Sequence, residues 1–241
     1  MKKVLFLMAF ASLTLGVEAQ NPAGGFSLKP MAGVNIARLV NGTDGMYHAR
    51  VKFTGGAELE YGISPWLGVS LDLLYSQQGA KIDGSLESYA VDENGDDLAI
   101  HTTLEGKLKT SYLNMPLMAN IYIPAVKGLA VKAGLQVGLL TSDRMAVAFQ
   151  TAIVNLTDMQ SCVPNTPRES HSLQFVSGSY AQTDVCKSVD IGIPVGLSYE
   201  WKNIALDARY CFGMKKIDKT LDPDNARNGC LSITLGYRFH L

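Results

Sequence analysis

The feature that most constrains this 241-residue chain is a period of two in its side chains. Between Asn203 and Gly213, Ile204, Leu206, Ala208, Tyr210 and Phe212 share one parity, while Ala205, Asp207, Arg209, Cys211 and Gly213 share the other. Neighbouring side chains of a strand point to opposite faces, so the segment has one greasy face and one polar or small face. The final segment repeats this, with Leu231, Ile233, Leu235, Tyr237, Phe239 and Leu241 set against Cys230, Ser232, Thr234, Gly236, Arg238 and His240. Residues 51–63, 67–76, 129–140 and 189–200 follow suit, and 26–37 and 110–123 do so less regularly. The pattern predicts about eight strands, each near the roughly 9–11 residues that cross a bilayer at a tilt.

The N-terminus predicts export. Lys2 and Lys3 precede an apolar stretch from Val4 to Val17, and Val17 and Ala19 put small side chains where a signal peptidase reads. Residues 1–19 are read as a signal peptide and 20–241 as one barrel domain, with no linker or change of composition to divide it. Removing two lysines and one glutamate moves the formal charge from −1 to −2, which argues against a nucleic-acid partner. No later apolar run reaches the roughly 20 residues of a spanning helix.

A soluble sandwich or a periplasmic ligand-binding barrel would also alternate, so the direction of the faces needs other signals. The polar faces carry charges beside many glycines, and glycine weakens a water-facing strand but fits a crowded barrel interior. Joins at Ser64-Pro65, Pro124–Gly128 and Lys202-Asn203 are short, whereas 38–50, 77–109, 142–187 and 214–229 read as long polar loops. Outer-membrane barrels have short periplasmic turns and long extracellular loops, so the reading is a closed antiparallel transmembrane barrel of about eight strands in the outer membrane. Both termini are then periplasmic. Trp66 and Trp201 fall at short turns, where an amphipathic ring sits at headgroup level.

Tyr61-Gly62-Ile63-Ser64-Pro65-Trp66-Leu67, Leu73-Leu74-Tyr75-Ser76-Gln77-Gln78-Gly79, Tyr112-Leu113-Asn114-Met115-Pro116-Leu117 and Gly192-Ile193-Pro194-Val195-Gly196 resemble segments of the small outer-membrane β-barrel (PorT-like) family of Bacteroidetes. The resemblance runs over nearly the whole chain after the signal and is weakest in the long loops. It implies an eight-stranded barrel inserted by the barrel-assembly machinery among outer-membrane lipid and lipopolysaccharide. It implies function poorly, because only certain members are tied to protein secretion. The last residue is Leu241 where many such barrels end in an aromatic, although Tyr237 and Phe239 share its apolar face.

Four cysteines follow the signal: Cys162, Cys186, Cys211 and Cys230. In an oxidising compartment they invite pairing, and the expected bridges are Cys162–Cys186, restraining the longest loop, and Cys211–Cys230, near the outer ends of the last two strands. By parity Glu58, Glu60, Asp72, Asp190, Glu200 and Asp207 point inward, as do Lys29, Lys52, Lys132, Arg209 and Arg238. An eight-stranded barrel is only wide enough to be filled by its own side chains, so these charges read as a paired plug rather than an ion pathway.

No cofactor, metal or catalytic set is expected. Asp92-Glu93-Asn94-Gly95-Asp96-Asp97 resembles half a calcium loop, but its glycine is misplaced and Thr103 stands where a bidentate Glu belongs. No Gly-x-Ser-x-Gly elbow occurs. The leading expectation is a non-enzymatic barrel whose outer loops bind an extracellular protein or surface ligand, with 142–187 and its Phe149, Phe175 and Tyr180 as the first region to test. Alternatives are an accessory part of a secretion machine, resting on the resemblance alone, and a soluble periplasmic ligand-binding barrel.

Overall fold

The computed structural model describes residues 23–40, 47–93, 95, 97–155, 174–216 and 226–241. The predicted signal segment therefore lies outside the described residues. The strands are β1 (Phe26–Val40), β2 (Tyr47–His48), β3 (Arg50–Ser64), β4 (Leu67–Val91), β5 (Asp97–Tyr122), β6 (Leu129–Asn155), β7 (Gln174–Gln182), β8 (Val189–Trp201), β9 (Ile204–Gly213), β10 (Arg227–Tyr237) and β11 (Phe239–His240).

Eight of them form a ring. The order is β1-β3-β4-β5-β6-β8-β9-β10, and β10 returns to β1 in antiparallel register from Met31↔Gly236 to Val40↔Arg227. Closing the sheet on itself removes its edges, so every wall strand finds its backbone partners on both sides, as a bilayer interior demands.

The alternation resolves into an inside-out protein. Large apolar side chains look away from the ring, with Leu71 54%, Leu135 65%, Leu197 53% and Leu235 58% exposed. Lys29, Glu58, Glu60, Asp72 and Asp207 are sealed within it at 1% exposure or less. Water would punish this arrangement by the transfer cost of each apolar side chain, whereas lipid rewards it. A soluble barrel would have the faces reversed. The apolar wall is bordered on one side by aromatics, including the Phe26–Tyr61 and Tyr237–Phe239 ring pairs at 4.9 and 4.8 Å. Trp66 and Trp201 lie at the same end, and the ammonium of Lys202 sits 4.8 Å above the Trp201 ring.

The short joins are tight turns. Lys202 and Asn203 both take positive φ, 48° and 67°, the backbone that suits a two-residue hairpin between right-twisted strands. Asn is among the residues that tolerate this conformation, and the Asn203 side chain also ties the turn to the last strands by donating to the Arg238 carbonyl at 3.0 Å.

The expected long loops at 77–109 and 142–187 are corrected. Most of 77–109 continues the ladder of β4 with β5 to Val91↔Asp97, and β6 runs on beside β5 to Leu98↔Asn155. β7 then adds along β6 from Met145↔Gln182 to Ile153↔Gln174. The outer halves of β4, β5 and β6 with β7 thus make a four-stranded sheet standing beyond the barrel wall. Thr, Ile, Val and Phe supply β propensity there, but no lipid demands a continuous apolar face. A bulge marks the transition: Ser111 opposes Ser142 and Tyr112 opposes Leu140, leaving Thr141 extra, its hydroxyl donating to the Ser111 carbonyl at 2.9 Å.

Candidate functional site

The lumen is built by cross-strand neighbours. Glu58 on β3 stands opposite Lys29 on β1 and Asp72 on β4. Two carboxylates side by side repel, so cations must reach them across the barrel. Lys132 from β6 approaches Glu58 Oε2 at 2.6 Å and Asp207 Oδ1 at 3.3 Å. Lys29 bridges the same two acids at 3.0 and 2.8 Å. Arg209 from β9 holds Asp72 Oδ2 at 2.6 Å.

A second group lies nearer the aromatic end. Arg238 binds Glu200 Oε2 at 2.6 Å and Glu60 Oε2 at 2.8 Å, and donates to Ser27 Oγ at 2.7 Å. The Tyr122 hydroxyl donates to Glu60 Oε1 at 2.6 Å. Arg238 also comes within 3.8 Å of Glu58, linking the two groups. Five carboxylates (Glu58, Glu60, Asp72, Glu200 and Asp207) therefore face four cations (Lys29, Lys132, Arg209 and Arg238) in one network that ties opposite walls together.

Of the residues expected to face inward, two lie outside this network. Asp190 is apart from the network: its carboxylate accepts from Asn228 Nδ2 at 2.7 Å and from the Ile191 amide at 2.9 Å. Lys52 lies higher, against a cavity at the junction of barrel and protruding sheet. Tyr122 was missed as a member, although its inward parity with Asn120 and Met118 is readable from the sequence.

Above the charges the lumen is capped by an apolar cluster of Leu39, Ala80, Leu108, Cys186 and Ala226. Asp143 draws the chain over it, its carboxylate accepting from the amides of Asp184, Val185 and Cys186 at 3.0, 2.6 and 2.8 Å. Cys162 lies outside the described residues, so the expected Cys162–Cys186 bridge does too. Cys211 and Cys230 stand directly opposite in the β9–β10 register, yet they are free thiols. Each sulfur is engaged elsewhere: Cys230 Sγ turns along its own strand to Ser232 Oγ at 3.8 Å, and Cys211 Sγ fills the space above Gly192. The expected Cys211–Cys230 disulfide is therefore absent. Asn94 and Asp96 of the acidic turn lie outside the described residues.

Every network carboxylate is held by a cation, so the network braces the wall from within. The protruding sheet turns apolar side chains toward other molecules: Tyr89 and Phe175 are 76% and 75% exposed, and Leu86, Val91, Val176 and Tyr180 are about half-exposed.

Comparison with known families finds one match, described as outer membrane protein beta-barrel domain, over residues 18–219. No curated protein matches. Among solved structures, Ail, the attachment invasion locus protein of Yersinia pestis, is similar at 15% identity and a TM-score of 0.39, over 90% of this chain and 99% of that one. Neisserial surface protein A is similar at 16% identity and a TM-score of 0.36, over 89% and 97%. The N-terminal β-barrel domain of Pseudomonas aeruginosa OprF is similar at 11% identity and a TM-score of 0.30, over 90% and 98%.

Proposed function

This chain belongs to the outer membrane protein beta-barrel domain family, and from that premise we propose that it is a non-enzymatic anchor presenting its protruding sheet to an extracellular protein. Both termini lie on the periplasmic side in this reading, which puts the extension of β4, β5, β6 and β7 outside the cell. The observation that carries it is the open edge of β7, which is paired with β6 on one side only among the described residues. An unpaired edge offers a row of backbone donors and acceptors to an incoming strand, and Phe175, Val176 and Tyr180 on the same strand supply apolar anchors.

The test is a loop graft. Residues 83–105 and 145–182 are replaced by short turns, and adhesion of the cells to host or neighbouring-cell surfaces is compared with the parent. The barrel is expected to assemble normally while adhesion is lost. Intact adhesion would contradict the reading, and loss of protein export instead would indicate a part of a secretion machine.

A further inference from the structure

Where the barrel wall meets the protruding sheet there is a cavity of about 470 Å³, lined among others by Lys52, Tyr75, Gln77, Lys109, Ser111 and Arg144. Its position follows from the wall. Outward-facing residues along β4 read Leu71, Leu73 and Tyr75 and then Gln77, and along β5 they read Leu117, Met115 and Leu113 and then Ser111 and Lys109. The cavity thus begins where the apolar band ends. At roughly 3.4 Å per residue, Lys109 stands within about 14 Å of Leu113 along a tilted strand, which is headgroup height.

The seam that opens the cavity has a backbone cause. Pairing of β3 with β4 ends at Thr54↔Ser76 and resumes only as Tyr47↔Ile82 through β2. Between them Gly79 takes φ +118°, and a Cβ there would lie 2.2 Å from the Leu108 carbonyl oxygen. Gly79 is also the cross-strand partner of Lys109, so no side chain covers the lysine on that side.

The electrostatics are unbalanced. Lys109 and Arg144 are directly opposite in the β5–β6 register, a like-charge pair that is destabilising by itself. One step outward, Lys81 opposes Lys107 in the same way. Whereas the four cations of the lumen network are all paired, Lys52, Lys109 and Arg144 make no ion pair among the described residues. Asp143 borders the cavity, but its carboxylate is committed to three backbone amides. Hydroxyls of Ser111 and Ser142 add donors, and the Tyr75 hydroxyl is 3.1 Å from Ser111 Oγ.

We propose that this cavity binds the phosphate of an outer-leaflet glycolipid headgroup, with Lys109 and Arg144 on one side, Lys52 on the other, and the acyl chains lying along the apolar band below. Phosphate suits the donor set because an arginine fork and two ammonium groups match its dense charge and several acceptor oxygens. The adjoining apolar wall favours a lipid-borne phosphate over a free one. The proposal rests on the membrane position of the barrel and not on the extracellular partner.

The test uses the full-length folded protein in detergent micelles, titrated with bisphosphorylated lipid A and with the same lipid after its phosphates are removed. Wild type is expected to prefer the phosphorylated lipid by at least about 10-fold. K109A/R144A is expected to lose that preference while keeping its heat-modifiable mobility, and K127A, altered on a short turn at the opposite end, is expected to keep it. Equal affinity of wild type for both lipids, or a preference surviving in K109A/R144A, would overturn the proposal. If the double variant does not fold, K52A decides, with a several-fold loss expected and no change contradicting. Inorganic phosphate serves as the last probe: displacement of the lipid by phosphate at comparable concentration would assign a free-anion site instead.

Discussion

At the scale of single residues, the lumen shows why parity is informative about side-chain direction and silent about partners. Glu58 and Asp72 are forced to be neighbours by the β3–β4 register, and Lys29 from the adjacent strand together with Lys132 and Arg209 from across the barrel make that pairing tolerable. Removing one member of a buried ion pair leaves a bare charge and costs about 3–5 kcal/mol, whereas replacing both by apolar groups of similar volume is often nearly neutral. R209M is therefore expected to destabilise the folded barrel by several kcal/mol, read by urea unfolding in micelles, and R209M/D72L to recover most of the loss. A double variant as unstable as the single one would show that the network is not what Arg209 contributes. Which cation would meet which acid was not legible in the sequence, because partners such as Lys29 and Asp207, or Glu60 and Arg238, sit 178 positions apart and are chosen by ring closure. The cysteines illustrate the same limit: Cys211 and Cys230 were correctly placed beside each other, but what each sulfur touches depends on the gap over Gly192 and on the Ser232 hydroxyl.

At the scale of elements, strand identity and facing were legible wherever lipid enforces them. Leu129 to Leu139 and Ile204 to Phe212 alternate cleanly because one face must be apolar throughout. Beyond Leu139 and Leu113 that demand ceases. The outer halves of β5 and β6 keep their backbone ladder with mixed side chains such as Thr102, whose hydroxyl lies 3.0 Å from that of Thr151. Hydropathy there resembles a loop although the hydrogen bonding is that of a sheet. The two halves should differ in stability as well as in composition. Amides of 97–107 and 146–153 are expected to exchange with deuterium well before those of 112–121 and 131–138, since the outer sheet lacks both ring closure and a membrane. Uniform protection along β5 would mean that the extension is packed by something more than its own strands.

At the scale of the whole molecule, the charges that fill the lumen and the apolar residues that coat the wall are one design. Eight strands leave an interior that side chains occupy, and the apolar cap of Leu39, Ala80, Leu108, Cys186 and Ala226 closes its outer end. Liposomes carrying the protein are accordingly expected to show no sugar-driven swelling, and swelling at the rate of a porin would contradict a filled lumen. The central claim, that the apolar face looks outward into the outer membrane, is tested most directly on the native protein. Outer membranes are washed at alkaline pH, and the retained chain is run on a gel before and after boiling. Retention in the membrane with a mobility that changes on boiling is the expected result. Release into the soluble fraction with unchanged mobility would contradict the inside-out barrel and everything built on it.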